Sequence, residues 1–178
     1  MTEEEMTVLA LRCGFTAARE VDVSTLQFLP EVRAMCAADR CHSYGKSWSC
    51  PPACGTLEQL REKAARYSRG LLLQTVGSRE DPFDYESMVA VGKANRKHFD
   101  DFISALRVHC GDFFPMPAGA CTRCKPCTYP DAPCRFPDDC FPSMEACGLF
   151  VSKVCEDNGL PYYYGEGKIA YTCLVLYV

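Results

Sequence analysis

Apolar residues recur along this chain with two different periods, and the alternation between them predicts interleaved helices and strands. Residues 2–13 read as a short helix, with Thr2 as N-cap, acids in the first turn and Gly14 as the stop. A strand is expected around Ala18–Val23, followed by a brief helix over Leu29–Cys36. Thr56 is placed to cap a helix over Leu57–Tyr67, ended by Gly70, and the apolar run Leu71–Val76 predicts a buried strand. Residues 84–109 carry Met88, Val91, Phe99, Phe102, Ile103 and Leu106 on or near one face, which predicts the longest helix. Phe113–Met116 then reads as a strand. A helix is expected from Pro142-Ser143 to about Asp157, stopped by Asn158-Gly159. Residues 161–164 and 169–177, joined through Gly165-Glu166-Gly167-Lys168, carry a hairpin signal.

These elements predict an α+β fold, with a mainly antiparallel sheet, flanking helices and two cysteine-rich loops, over one domain spanning 1–178. The two loops, 36–55 and 120–139, show no helical or strand period and are too long for ordinary connections, so each needs something to organise it.

Fourteen cysteines in 178 residues is a density seen in disulfide scaffolds of secreted proteins. The acidic start, Met1-Thr-Glu-Glu-Glu, is unlike a signal peptide, and no apolar run is long enough to span a membrane, so the expected location is cytoplasmic. Thiols stay reduced there, and regularly spaced cysteines then point to metal binding or redox chemistry. A net charge of −4 without a basic cluster argues against nucleic acid as a partner.

The second loop runs Cys121-x2-Cys124-x2-Cys127-x6-Cys134. Thiols at such short intervals cannot easily pair with each other, but they wrap around one compact centre, as in ferredoxin-type [4Fe–4S] sites. Arg123, Lys125 and Arg135 add positive charge, and the helix expected to begin near Ser143 would add its dipole. A structural zinc site would favour two separated Cys-x2-Cys pairs. The first loop, Cys36-x4-Cys41-x8-Cys50-Pro-Pro-x-Cys54, is looser. Three thiolates there would leave one iron open to substrate, whereas a fourth from Cys54 would suit electron transfer. A crossed arrangement, with Cys134 completing the first site and Cys54 the second, is equally compatible with the spacing.

Around these ligands, His42 reads as a loop hydrogen-bonder first and a ligand second, and Tyr44 and Trp48 serve equally well as shields or as core. Glu145 reads as a first-turn dipole residue first and as an acid beside a cluster second. Cys140 and Cys147 are the best spare ligands, while Cys13, Cys110, Cys155 and Cys173 are expected to be small buried hydrophobes. Tyr162, Tyr163, Tyr164, Tyr171 and Tyr177 suit either strands or a homodimer or partner surface.

The run Cys41-His-Ser-Tyr-Gly-Lys-Ser-Trp-Ser-Cys50-Pro-Pro-Ala-Cys-Gly, with Cys134-Arg-Phe-Pro and Pro142-Ser-Met-Glu-Ala, resembles the predicted metal-binding proteins called domain of unknown function 2284. The resemblance covers nearly the whole chain. It implies a cysteine-rich protein of anaerobic bacteria or archaea, presumed to bind iron–sulfur, with ligands at Cys36, Cys41, Cys50, Cys121, Cys124, Cys127 and Cys134. No catalytic residue carries over. The leading expectation is one or two [4Fe–4S] clusters in electron transfer, with a redox partner protein. The alternative is a cluster enzyme whose Cys36/Cys41/Cys50 site handles a small-molecule substrate, for example in sulfur removal or transfer. A zinc-stabilised interaction module is the third.

Overall fold

The computed structural model describes residues 1–178. Its first helix, α1 (Glu3–Arg12), begins with a reciprocal cap. The Thr2 hydroxyl accepts from the Glu5 N–H, and the Glu5 carboxylate accepts from the Thr2 N–H. The same device recurs at α3 (Leu57–Ala64), where Thr56 and Gln59 exchange the two bonds. Between them lie β1 (Ala17–Val21) and α2 (Pro30–Ala37), whose first residue is a proline in the position where a missing N–H costs nothing. β2 (Arg69–Ser78) leads to the longest helix, α4 (Tyr85–His109), capped by the Asp84 carboxylate. β3 (Phe113–Met116), α5 (Val151–Asp157) and β4 (Lys168–Tyr177) complete the chain. No helix is long and apolar enough to cross a membrane.

The four strands form one antiparallel sheet in the order β1-β2-β4-β3. Strand alternation sends neighbouring residues to opposite faces, and here both faces are covered. Leu71, Leu73, Cys173 and Val175 point into a core with Met6 and Ala10 of α1 and Phe99, Phe102, Ile103 and Leu106 of α4. Leu72, Leu174, Leu176, Phe114 and Met116 face a second core with Leu60 of α3 and Met144, Cys147, Leu149, Val154 and Cys155. Burial on both faces is why β2 and β4 read as nearly continuous apolar runs.

Three expectations are corrected. β4 does not pair with residues 161–164, which form no strand. β2 and β3 already occupy both of its edges, and residues 161–164 are tied to β2 through a side chain: the Gln74 amide donates to the Pro161 carbonyl at 2.9 Å, and Tyr164 Oη donates to Gln74 Oε1 at 2.6 Å. Gly70 does not end α3. It lies inside β2, where an added Cβ would meet Leu176 and Val21 at 3.0 and 3.1 Å.

The helix expected from residue 143 begins only at Val151. Residues 143–148 form turns because Gly148 takes φ +81°, and Leu149 forms an isolated bridge with Phe28. A Cβ on Gly148 would stand 2.5 Å from Leu57 and 3.0 Å from the Leu29 carbonyl. Gly148→Ala is therefore expected to destabilise the fold by about 2–4 kcal/mol, read as a drop in the denaturation midpoint, since a disfavoured backbone and an overpacked contact add. An unchanged midpoint would mean that this turn is not fixed as described.

Candidate metal centre

α2 delivers Cys36 to the mouth of the first loop, and Arg33, three residues earlier, fastens that loop to the 143–148 turn. Its guanidinium donates to the Ala146 carbonyl at 2.8 Å and to the carbonyl of Gly55, where the loop ends. The Leu29 N–H donates to the Gly148 carbonyl at 2.8 Å, which fixes the same turn from the other side. These ties set Glu145 beside the first cysteine group. Cys36, Cys41 and Cys50 line one cavity of about 360 Å3, whose walls also carry Glu145, Arg40, Tyr44 and Tyr162.

Cys54 is not on that wall. It lies on the core side, packed against the second core, and its thiol is close enough to Cys50 and Cys36 to feel their charge. Burial raises the pKa of Cys36, and the Glu145 and Cys41 charges add to the rise. Burial also raises Cys50, against the opposing hydroxyl of Ser49. Exposed His42, in a left-handed conformation at φ 57°, does not line the cavity.

The second group is drawn together differently. The Cys140 thiol stands close enough to Cys121 to hold the Cys121 pKa down to about 6 despite burial, helped by the Arg123 N–H and guanidinium. Its closeness to Cys121, with burial and the nearby Cys134 thiol, raises Cys140. Burial acts to raise Cys127, but the N–H groups of Tyr129 and Trp48 and the Ser47 hydroxyl outweigh it and leave the pKa lowered. Cys140, a spare by its place in sequence, thus stands with Cys121 and Cys134. Cys147, the other spare, is wholly buried in the second core, where burial drives its pKa far up. Cys155 and Cys173 are likewise core residues, and Cys13 and Cys110 pack against the α1/α4 core.

The two loops also lock to each other. Buried Ser49 accepts from the Cys121 N–H at 2.9 Å, lies 3.0 Å from the Ser47 hydroxyl and 3.7 Å from the Cys50 sulfur. Trp48 donates to the Ala132 carbonyl at 3.2 Å and meets Tyr129 edge-on, with ring centroids 4.9 Å apart. Trp48 thus fastens the loops together, outside both cores, and Tyr44 lines the cavity. The positive charges are partly committed elsewhere: Arg123 pairs with Asp100 at 2.7 Å, and Arg135 donates to the Pro126 carbonyl. With α5 starting at Val151, no helix N-terminus lies at Ser143 to supply a dipole.

The donor set suits a thiolate-bound metal group: soft sulfurs, with N–H and hydroxyl groups directed at several of them. No three Cys, His, Asp or Glu side chains converge on a point as they would around one ion. The first three thiols instead ring a cavity. The serine pair was missed in the sequence, although two polar residues flanking Trp48 immediately before a ligand are a readable sign that the loop is buried and hydrogen-bonded.

In the metal-free, reduced chain, Cys121 should be alkylated by iodoacetamide at pH 7 well before the core thiols Cys147, Cys155 and Cys173, because only the thiolate attacks and burial suppresses it. Peptide mapping over time reads the order. Early loss of Cys147 would show that the second core opens.

A family model described as predicted metal-binding protein (DUF2284) matches residues 19–177. No curated protein and no solved structure matches the chain.

Proposed function

We propose, from the premise that this chain belongs to the DUF2284 family of predicted metal-binding proteins, that its two loops hold iron–sulfur clusters with different tasks. Cys121, Cys124, Cys127 and Cys134, with Cys140 beside them, hold the electron-carrying centre, supplied by a redox partner protein. Cys36, Cys41 and Cys50 hold a second centre that meets a small-molecule substrate. The observation that carries the division is the cavity walled by those three thiols while Cys54 stays on the core side.

Such a group, when bound, supplies one-electron capacity and, where an iron keeps an open position, Lewis acidity. The chain's own residues do the rest. The Ser47 hydroxyl and the Trp48 and Tyr129 N–H groups favour thiolate at Cys127, and the Ser47–Ser49 pair joins the two loops. Tyr44, Val32 and Phe150 give the cavity apolar walls. The Glu145 carboxylate is the group there able to accept or return a proton, and Arg40 offers a cation to orient an anionic substrate.

The spectrum of the dithionite-reduced protein tests this reading. Added cyanide should perturb one paramagnetic signal and leave the other unchanged, and Cys36→Ala should remove the responsive one. Indifference of every signal to cyanide would return both sites to electron transfer alone.

A further inference from the structure

Beyond the thiol-lined cavity lies a larger one of about 820 Å3, bounded by the first half of α4, the start of β4 and residues 118–125. The two share Gly119, Glu145, Val151 and Tyr162 as walls, so they adjoin, with Glu145 at the junction. In a chain of net charge −4, this larger cavity is lined by three cations, Lys93, Arg96 and Lys125, against the single carboxylate of Glu145. None of the three cations stands in a salt bridge. Asp100, which feels the charge of Arg96, is itself bonded to Arg123 at 2.7 Å.

The walls also carry three tyrosines. Tyr171 is anchored by its hydroxyl, which donates to the Met88 carbonyl at 3.1 Å, while Tyr85 is largely and Tyr162 about half exposed. Buried Asn95 reaches only the Cys173 sulfur, at 3.5 Å from its Nδ2 and 3.8 Å from its Oδ1. Sulfur is a weak partner, so an amide with spare capacity lines the same space. Gly92 leaves the wall between α4 and Tyr171 without a side chain: a Cβ there would lie 3.4 Å from the Tyr171 ring.

We propose that this cavity binds a small planar organic anion, an aromatic or heterocyclic ring carrying a carboxylate or a phosphate. Its charge is held by Lys93, Arg96 and Lys125 and its ring lies among the tyrosines, toward Glu145. As the substrate of the Cys36/Cys41/Cys50 centre this ligand rests on the reading above; as a binding site it stands without it.

Calorimetric titration of the full chain, purified anaerobically, tests the site with benzoate and adenosine 5′-monophosphate as the two anionic probes. Benzamide, adenosine and inorganic phosphate are the controls. Saturable binding of either ringed anion is expected, at least about tenfold tighter than its neutral counterpart, because charge-assisted hydrogen bonds are lost with the charge. Which of the two binds identifies the acid group. The Lys93→Gln/Lys125→Gln double variant should weaken binding at least about tenfold, and Gly92→Leu, which fills the wall on a helix that prefers leucine to glycine, should abolish it with iron content unchanged. Equal affinity for benzamide and benzoate, displacement by inorganic phosphate alone, or full binding by Gly92→Leu would overturn the proposal, as would no binding of either anion. Binding that leaves the cyanide-responsive signal undisturbed keeps this site and removes its role as the substrate site of the thiol-lined centre.

Discussion

Cys50→Ala should cost the protein about half its iron and sulfide, the share of one cluster of two, and with it every response of the spectrum to small ligands. Cys50 is the most buried thiol of the first group, lines the cavity with Cys36 and Cys41, and lies 3.7 Å from the Ser49 hydroxyl. Its removal leaves two cavity thiols, too few to hold a cubane. The signal assigned to the second loop should persist, because its thiols are organised by Cys140 and by backbone N–H groups. Iron analysis and reduced-state spectra of the purified variant decide this. Retention of full iron would move the first site to a set that excludes Cys50, and loss of all iron would mean a single shared centre.

Ser49→Ala should loosen both loops at once. The hydroxyl is buried, accepts from the Cys121 N–H and contacts the Ser47 hydroxyl. Deleting it leaves the Cys121 N–H without its partner and takes one of its contacts from the Ser47 hydroxyl, at a cost of about 1–3 kcal/mol in stability. It also frees the backbone at Cys121, so iron should be lost faster to a chelator from both sites. Ser49→Thr, which restores the hydroxyl, should recover part of the effect. Denaturation midpoints and chelation rates measured together separate this from a local defect: a slower or unchanged chelation rate with a lowered midpoint would deny the serine any part in holding the sites.

The α+β class, the antiparallel sheet and most element positions were legible in the sequence because local signals and tertiary packing agree there. Thr2 and Thr56 each stand three residues before a glutamate or glutamine, so both caps close on themselves. The periodicity of α4 is likewise the periodicity of its buried face. Where the reading failed, long-range geometry overrode a local cue. Residues 161–164 look like a strand but are drawn to Gln74, which is ninety residues from Tyr164 in sequence. Residues 143–148 look helical but are turned by Gly148 so that Leu149 can reach Phe28.

The candidate site was legible as a ligand inventory and not as a geometry. Spacing alone picks out Cys36, Cys41 and Cys50, yet the separation of Cys54 from the cavity depends on how residues 50–55 turn into α3. Cys140 joins Cys121 and Cys134 only through the path of the chain after the second loop, including the short 3-10 turn over Pro137–Asp139. Glu145 has the sequence signature of a first helical turn. It lines the cavity because that helix does not start there.

The most direct test of the whole account is the quantity of iron and acid-labile sulfide per chain after anaerobic purification. Two clusters predict about eight of each, falling to about four in Cys50→Ala. Zinc without sulfide, bound by the unaltered chain under the same conditions, would contradict it.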